Sequence, residues 1–535
     1  MFGWSFLLGT GTINNPPRDN DRAQHIIGQR YFIADTWRWP LLNAHRLVPP
    51  HGTNIAFTDS IPFIALAAKI FKGSLPAGFE AVSLWLALSW TLLPPSAVFA
   101  LRSAGEQNLV PSAAGSLLVV SMPIMFWRSG HEALSSHFLI LLALGLYFRI
   151  ARSPCSRDHV AAILLMIVSL LVHPYIMVMV LAVLVAAPLT VAFGKRQGRG
   201  IATRQMSRDW PLQVAQRQRQ SIASCYGVFA GAALTAGLAV LLGYTEADRA
   251  AGFGYYSMNV LSPIHPAGSA ILWGGGSVLD ATGGQFEGYQ YLGLGSLILC
   301  AVTLARHFRE VSAESMKEHL GLTLVCALLF CFALSNRIYI GSHLLASFDF
   351  EVPQFRATGR FFWPVAYVLA LATTMATCRV IRRPYCYWFV VVAAVVQFAD
   401  TSGLRRDVYR HHHAQTQWLL DADRLRALIG SHTSLTIWPI APCAKGSTSQ
   451  LLLQSLLVAS EAAIPVNTMY VARLTSPVTC DNDDAVKRLP KGELRLFLPE
   501  AHRITAMIPY GAGACRHIGP LIACSAQFAA SQDPT

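Results

Sequence analysis

Apolar runs of about 20 residues, the length that crosses a bilayer as a helix, return throughout this chain. The clearest occupy 77–101, 109–126, 133–150, 159–173, 176–193, 222–243, 290–305, 319–335, 361–378 and 386–399. The pattern excludes a single soluble globule, a disordered chain and a disulfide-dense secreted scaffold. Composition agrees: 53% of residues are hydrophobic and 13% charged, against roughly 25% charged in soluble domains. Residues 2–12 read as a shortened first span or the end of a longer one, with no basic stretch before them to mark a cleavable signal peptide. The expected fold class is an α-helical polytopic membrane protein of about eleven spans. The two segments meeting at His173-Pro174 are both short, and read as two spans or as one long kinked helix.

The formal net charge is +13. Such a balance would suit nucleic acid, but the positive residues lie in short loops between apolar segments, where they set helix orientation. No nucleic-acid partner is expected. Arg149, Arg152 and Arg157, the stretch from Lys195 to Arg219, Arg306 with Arg309 and Lys317, and Arg379 with Arg382 and Arg383 mark the cytoplasmic loops. Residues 13–76, 127–132, 244–289, 336–360 and the tail after Asp400 then lie outside. The chain divides into a multi-span domain, 1–400, whose first loop is external, and a C-terminal domain, 401–535. In the tail the apolar runs shorten to strand length at Leu435–Trp438, Leu451–Val458 and Leu494–Leu498, which reads as a small α+β extracytoplasmic domain. Cys443, Cys480, Cys515 and Cys524 can form two disulfides in an oxidising compartment, with three pairings open.

The unusual polar residues gather on the outer side. The first loop carries Asp19-Asn20-Asp21, and Asp21 and His25 are spaced to share one helix face. The motif reads as a solvated loop in which Asp21 N-caps a helix, or as a carboxylate that takes a proton from a hydroxyl or holds a cation through oxygen. Asp59, before Ser60-Ile61-Pro62, has the same readings and sits where a helix N-cap would. Residues 61–72 are too short to span and read as an interfacial helix whose Lys69 and Lys72 snorkel. In the turn 127–132, Arg128 and His131 are placed to meet an anionic group. His131, Glu132 and His137 do not have zinc-protease spacing. His173-Pro174-Tyr175 reads first as a structural kink. Glu287 stands just before a span, where a carboxylate needs a partner or a task. Arg356 and Arg360 precede another span on the outer side, and arginine grips phosphate through a planar fork. Asp19, Asp21 and Asp59 are thus the candidate catalytic residues; Arg356, Arg360, Arg128, His131, His25 and Glu287 are the candidate substrate-binding residues. No motif demands a metal or cofactor, although the carboxylates are open to magnesium or manganese.

Asn15-Pro16, Asp21 to His25, Thr58 to Pro62, Arg128 to His131 with His137, His173-Pro174-Tyr175, Glu287-Gly288-Tyr289 and Arg356 to Pro364 together resemble a family of polytopic bacterial membrane proteins of unassigned function. That family in turn is similar to the C-type glycosyltransferases. The resemblance implies transfer of a sugar from a polyprenyl-phosphate carrier to a glycan or lipid acceptor, on the periplasmic side of the bacterial inner membrane and in contact with its lipids. Asp21 or Asp19 is placed like the catalytic carboxylate, and Arg356 and Arg360 like residues that hold the lipid phosphate. Two other classes fit the same composition. A transporter or flippase predicts charged residues at mid-depth in the spans. A non-catalytic partner in polysaccharide assembly predicts that the acidic and arginine positions tolerate substitution.

Overall fold

A computed structural model describes residues 15–530, apart from 18–19, 77, 154, 194–209, 247–250, 273–275, 308–317, 476–477, 482 and 508–513. The expected first span at 2–12 and the candidate Asp19 lie outside the described residues.

The described residues open with α1 (Asn20–Ala34), the short pair β1 (Asn43–Ala44) and β2 (Thr53–Asn54), and α2 (Pro62–Ile70). The bundle follows: α3 (Val82–Ala104), α4 (Leu109–Val120), α5 (Pro123–Trp127), α6 (Phe138–Arg152), α7 (Ser156–Val172), α8 (Pro174–Phe193), α9 (Trp210–Leu241), α10 (Leu294–His307) and α11 (Leu320–Leu334). A hairpin, β3 (Arg337–Ile340) with β4 (His343–Ser347), precedes α12 (Trp363–Val380), α13 (Tyr385–Asp400) and α14 (Ser402–His413). Each predicted apolar segment carries a helix among the described residues. Among the described residues, Val82–Ala104, Leu109–Trp127, Pro174–Ala192 and Thr358–Val380 are long and apolar enough to cross a membrane. Tyr385–Asp400 and Ser402–His413, bent by 46°, make one more if counted as one span.

The helix over 159–173 and the one after it are not halves of a kinked rod. α7 and α8 pack side by side, and His173 caps the turn between them, its Nδ1 accepting the backbone N–H of Tyr175 at 3.1 Å. Tyr244 Oη, beyond the end of α9, donates to the Leu170 carbonyl near the end of α7. The ends of α7 and α9 thus come together on the face that also carries residues 20–76.

The tail holds α15 (Ala422–Gly430), β5 (Ser434–Trp438), α16 (Gly446–Ala462), β6 (Glu493–Phe497), β7 (Cys515–Ile518), β8 (Leu521–Cys524) and α17 (Ala526–Ala530). Its sheet runs β5-β6-β8-β7; β5 and β6 are parallel and the other pairs antiparallel. The expected strand at Leu451–Val458 is instead the middle of α16. The run is continuously apolar because the helix is wrapped: Leu451 to Val458 are buried but for one half-buried position, against α1 on one side and the sheet core on the other. Continuous burial erases the 3.6-residue period that would have marked a helix.

The tail and the first loop share one core. α16 packs on α1, Tyr31 Oη donates to the Ile464 carbonyl at 2.7 Å, and Val48 N–H donates to the Val466 carbonyl at 2.8 Å. Disulfides join Cys443 to Cys480 and Cys515 to Cys524. Serine at both Cys443 and Cys480 is expected to cost the tail on the order of 2–4 kcal/mol, chiefly by freeing the unfolded chain over a separation of 37 residues. Limited proteolysis checks this: the double variant should be cut within 424–526 under conditions that spare the parent chain, and equal resistance would refute it.

Candidate active site

α1 brings Arg22 and His25 to the same side, one turn apart. Both reach Glu132, which is fully buried: Arg22 Nη1 lies 2.6 Å from Glu132 Oε1, and His25 Nδ1 lies 2.9 Å from Glu132 Oε2. Arg22 also donates to Ser83 Oγ at 2.7 Å. Burial disfavours a charged His25, but the hydrogen bond and charge of Glu132 outweigh it, and the imidazole binds its proton more tightly than a free histidine does.

The turn carrying Asp59 is pressed against α1. Ser60 Oγ donates to the His25 carbonyl at 2.8 Å, and the Thr58 and Ser60 hydroxyls bond each other at 2.7 Å. A Cβ at Gly28 would collide with both hydroxyls, so glycine is what lets the turn approach. Asp59 itself has φ 51°, a left-handed conformation that aspartate tolerates better than most residues. It is not the N-cap its position suggests. Ile61 occupies that place in a left-handed conformation without a side-chain cap, and the Asp59 carboxylate turns inward. Oδ2 lies 3.7 Å from His131 Nε2, and Oδ1 lies 3.6 Å from His173 Nε2. Burial pushes its pKa up to about 6, against the opposing pull of His25, with Asp21 adding to the rise. His131 is held well below the ordinary histidine range by burial and by the positive groups around it.

A second cluster adjoins the first. Glu287, in the short helical turn Gln285–Gly288, accepts from two arginines: Arg128 Nη1 at 2.7 Å and Arg360 Nη2 at 2.9 Å. Arg128 also donates to the Glu287 carbonyl at 2.7 Å. Burial alone would favour the neutral acid, but Arg128 and Arg360 outweigh it and hold Glu287 well below the usual carboxylate range. Arg360 lies over the Tyr175 ring at 5.2 Å, and Arg356 over the Tyr256 ring at 4.9 Å. The triad of two guanidinium groups and one carboxylate keeps a net positive charge. Asp21, exposed on the first turn of α1, interacts electrostatically with His25, Asp59 and Arg128.

Candidates Asp21, His25, Asp59, Arg128, His131, Glu287, Arg356 and Arg360 therefore come from five separate stretches of sequence to one place. Glu287 is bound to protein arginines, so it positions them instead of offering itself to an anion. The short helix expected at 61–72 is present as α2, but Lys69 does not snorkel; it is buried, its ammonium 3.9 Å from the Phe32 ring centre and bonded to the Thr36 carbonyl. Several members went unrecognised in the sequence. Glu132, beside His131 in the turn 127–132, carried the signal of an acid next to apolar runs on both sides. His173 looked like a kink residue. Tyr470 and Arg473 come from the tail; Tyr470 lies within electrostatic reach of Asp21, Arg356 and Asp59, and Arg473 within reach of Asp59 and His173.

Beside the cluster an apolar groove of about 580 Å³ runs between α3, α6 and α7. Phe63 of α2 and Trp85 lie at its head, with Leu88, Leu92 and Phe99 below them along α3. Trp85 is two residues from the Ser83 that accepts from Arg22, so the groove begins at the level of the buried ion pairs. Its volume suits an organic ligand, and its walls suit a branched hydrocarbon.

A family model described as Domain of unknown function (DUF6311) matches residues 1–402, and one described as the DUF6311 C-terminal domain matches residues 424–526. No curated protein matches the sequence. Among solved structures the chain is similar to ArnT from Cupriavidus metallidurans in the apo state, with a TM-score of 0.50 and 12% identity over 99% of this chain and 97% of that one. At that identity the likeness is one of fold.

Proposed function

The chain belongs to the DUF6311 family, and from this membership and the site we propose that it is a glycosyltransferase of the bacterial inner membrane. It moves a sugar from a polyprenyl-phosphate carrier to a cell-envelope glycan or lipid acceptor on the periplasmic side. The observation that carries this reading is the net-positive Arg128–Glu287–Arg360 triad close to buried carboxylates, together with an apolar groove that begins at Trp85, two residues from the Ser83 that bonds Arg22. The resemblance to C-type glycosyltransferases, together with the fold shared with ArnT, supports it. In this reading α3 to α13 form the crossings and the site faces the periplasm.

The chemistry follows from the charges. The acceptor hydroxyl oxygen attacks the anomeric carbon, the bond from that carbon to the phosphate oxygen breaks, and the electron pair leaves with the phosphate. Arg128 and Arg360 are aimed where that negative charge grows; such fixed donors are worth about 10²–10³ in rate. Glu287 keeps the two guanidinium groups side by side despite their repulsion. Asp21, the exposed carboxylate, takes the acceptor proton. The isoprenoid tail lies in the groove and the tail domain faces the acceptor. A transporter would concentrate its charges along a path at mid-depth, whereas this cluster sits at helix ends and loops.

Proteoliposomes containing the purified protein and polyprenyl phosphate labelled in its lipid provide the test. The chain is expected to bind the lipid phosphate, and Arg360→Gln to weaken that binding about tenfold, the worth of one charge-assisted contact near 1.5 kcal/mol. With a sugar-loaded carrier, label should pass to acceptor. A folded protein that neither binds the lipid phosphate nor consumes any polyprenyl-phosphate sugar would overturn the proposal.

A further inference from the structure

We propose that His25, His131 and Asp59 form a three-ligand site for a borderline divalent transition metal of the zinc type. One ligand atom from each lies within 4.8 Å of the other two. The residues are far apart in sequence, so no local motif announces the site, and the zinc-protease spacing that His131 and His137 lack is irrelevant to it. His137 instead bonds Tyr367 Oη at 2.7 Å.

The hydrogen bonds decide which nitrogens can serve. Glu132 is ion-paired with Arg22 at 2.6 Å and accepts from His25 Nδ1 at 2.9 Å. An acceptor on that side fixes one proton on Nδ1 and turns Nε2 away, so that a metal would bind at Nε2 in place of the second proton. That Nε2 is buried and has no partner, on a residue with no exposure at all. A buried polar atom left unpaired is destabilising, and the carboxylate–imidazole arrangement behind it is the one that orients metal-binding histidines. His131 Nδ1 is likewise buried without a partner, and its Nε2 stands 3.7 Å from Asp59. That is too long for a hydrogen bond. It is close to the roughly 3.3–3.5 Å between two ligands of one tetrahedral ion with bonds near 2.0–2.1 Å.

His173 has the opposite arrangement. Its Nδ1 accepts the Tyr175 N–H, so its proton is on Nε2, which faces Asp59 Oδ1 at 3.6 Å. With the proton on that nitrogen, His173 is not a ligand. Two imidazoles and one carboxylate select zinc, cobalt or nickel over magnesium or calcium, which prefer oxygen alone. Three protein ligands also leave a coordination position open.

The test uses full-length protein stripped of metal in detergent, with His411, His412 and His413 changed to asparagine so that this run adds no background. Cobalt(II) is titrated in, and its visible absorption and the bound metal per chain are read. One cobalt per chain, displaced by zinc, is expected. His25→Ala and Asp59→Asn should weaken binding at least 100-fold, and His173→Gln less than tenfold, with each variant's folding checked by melting. If His25→Ala does not fold, X-ray absorption of the zinc-loaded parent replaces it and should show two imidazole nitrogens. The proposal is overturned by no binding in the folded parent, by uptake of magnesium or manganese alone, by an all-oxygen coordination shell, or by loss of the metal in His173→Gln. The readout needs no sugar donor. Metal without transfer would remove the glycosyltransferase reading alone, and transfer without metal would remove this one.

Discussion

Glu132→Ala should strip the site of its stability. The carboxylate has no solvent exposure and carries both Arg22 and His25. Removing it leaves a guanidinium with 10% side-chain exposure and a fully buried imidazole without their counter-charge. Breaking a buried pair from one side costs about 3–5 kcal/mol, a large fraction of the roughly 5–15 kcal/mol by which a domain is stable. His25 loses the hydrogen bond that fixes its ring, and α1 loses its tie to the turn 127–132. Thermal melting in detergent should show a markedly lower transition. Glu132→Gln should fall between the two, because an amide still accepts from one neighbour but cannot neutralise Arg22. A melting curve for Glu132→Ala that overlays the parent's would show that the pair contributes nothing.

Asp21→Asn should give the largest loss of transfer. Asn keeps the size and the place on the first turn of α1 but cannot take a proton, and a positioned general base is worth about 10²–10⁴-fold. Binding of the lipid phosphate should change little, since the charges that meet it are Arg128 and Arg360. The neighbours should register the change as well: with one negative charge gone from beside it, Asp59 should release its proton more readily than in the parent, where burial and Asp21 both hold it up. Transfer at the parental rate in proteoliposomes would remove Asp21 from the mechanism.

The sequence announces the bundle because lipid imposes a simple rule. A spanning helix must be apolar over its whole length, so each segment shows itself without reference to any other. The site obeys no such local rule. His25 meets a glutamate 107 positions later, and Arg360 meets one 73 positions earlier. Polar residues in the loops between apolar runs stood out in the sequence, and Asp21, Arg128 and Arg360, which the structure brings together, were picked out that way. Which of them pair with each other was not readable. Glu287 looked like a group awaiting a ligand, yet it is occupied by two arginines. Asp59 looked like a cap because aspartate before a helix usually is one; the left-handed turn at Asp59 and Ile61 sends the side chain elsewhere. α16 was misjudged for a related reason, since a helix surrounded on all sides looks in sequence like a buried strand.

The shared core of α1, the loop through Val48 and the segment from α16 to Val466 bears on how members of this family can be recombined. A chimera that takes only the C-terminal region from a relative would set a foreign surface against a native α1, across an interface where both sides supply buried side chains. Residues 20–76 and the tail have to travel as one cassette, and any trait that maps to the tail in such swaps should be sought on both pieces.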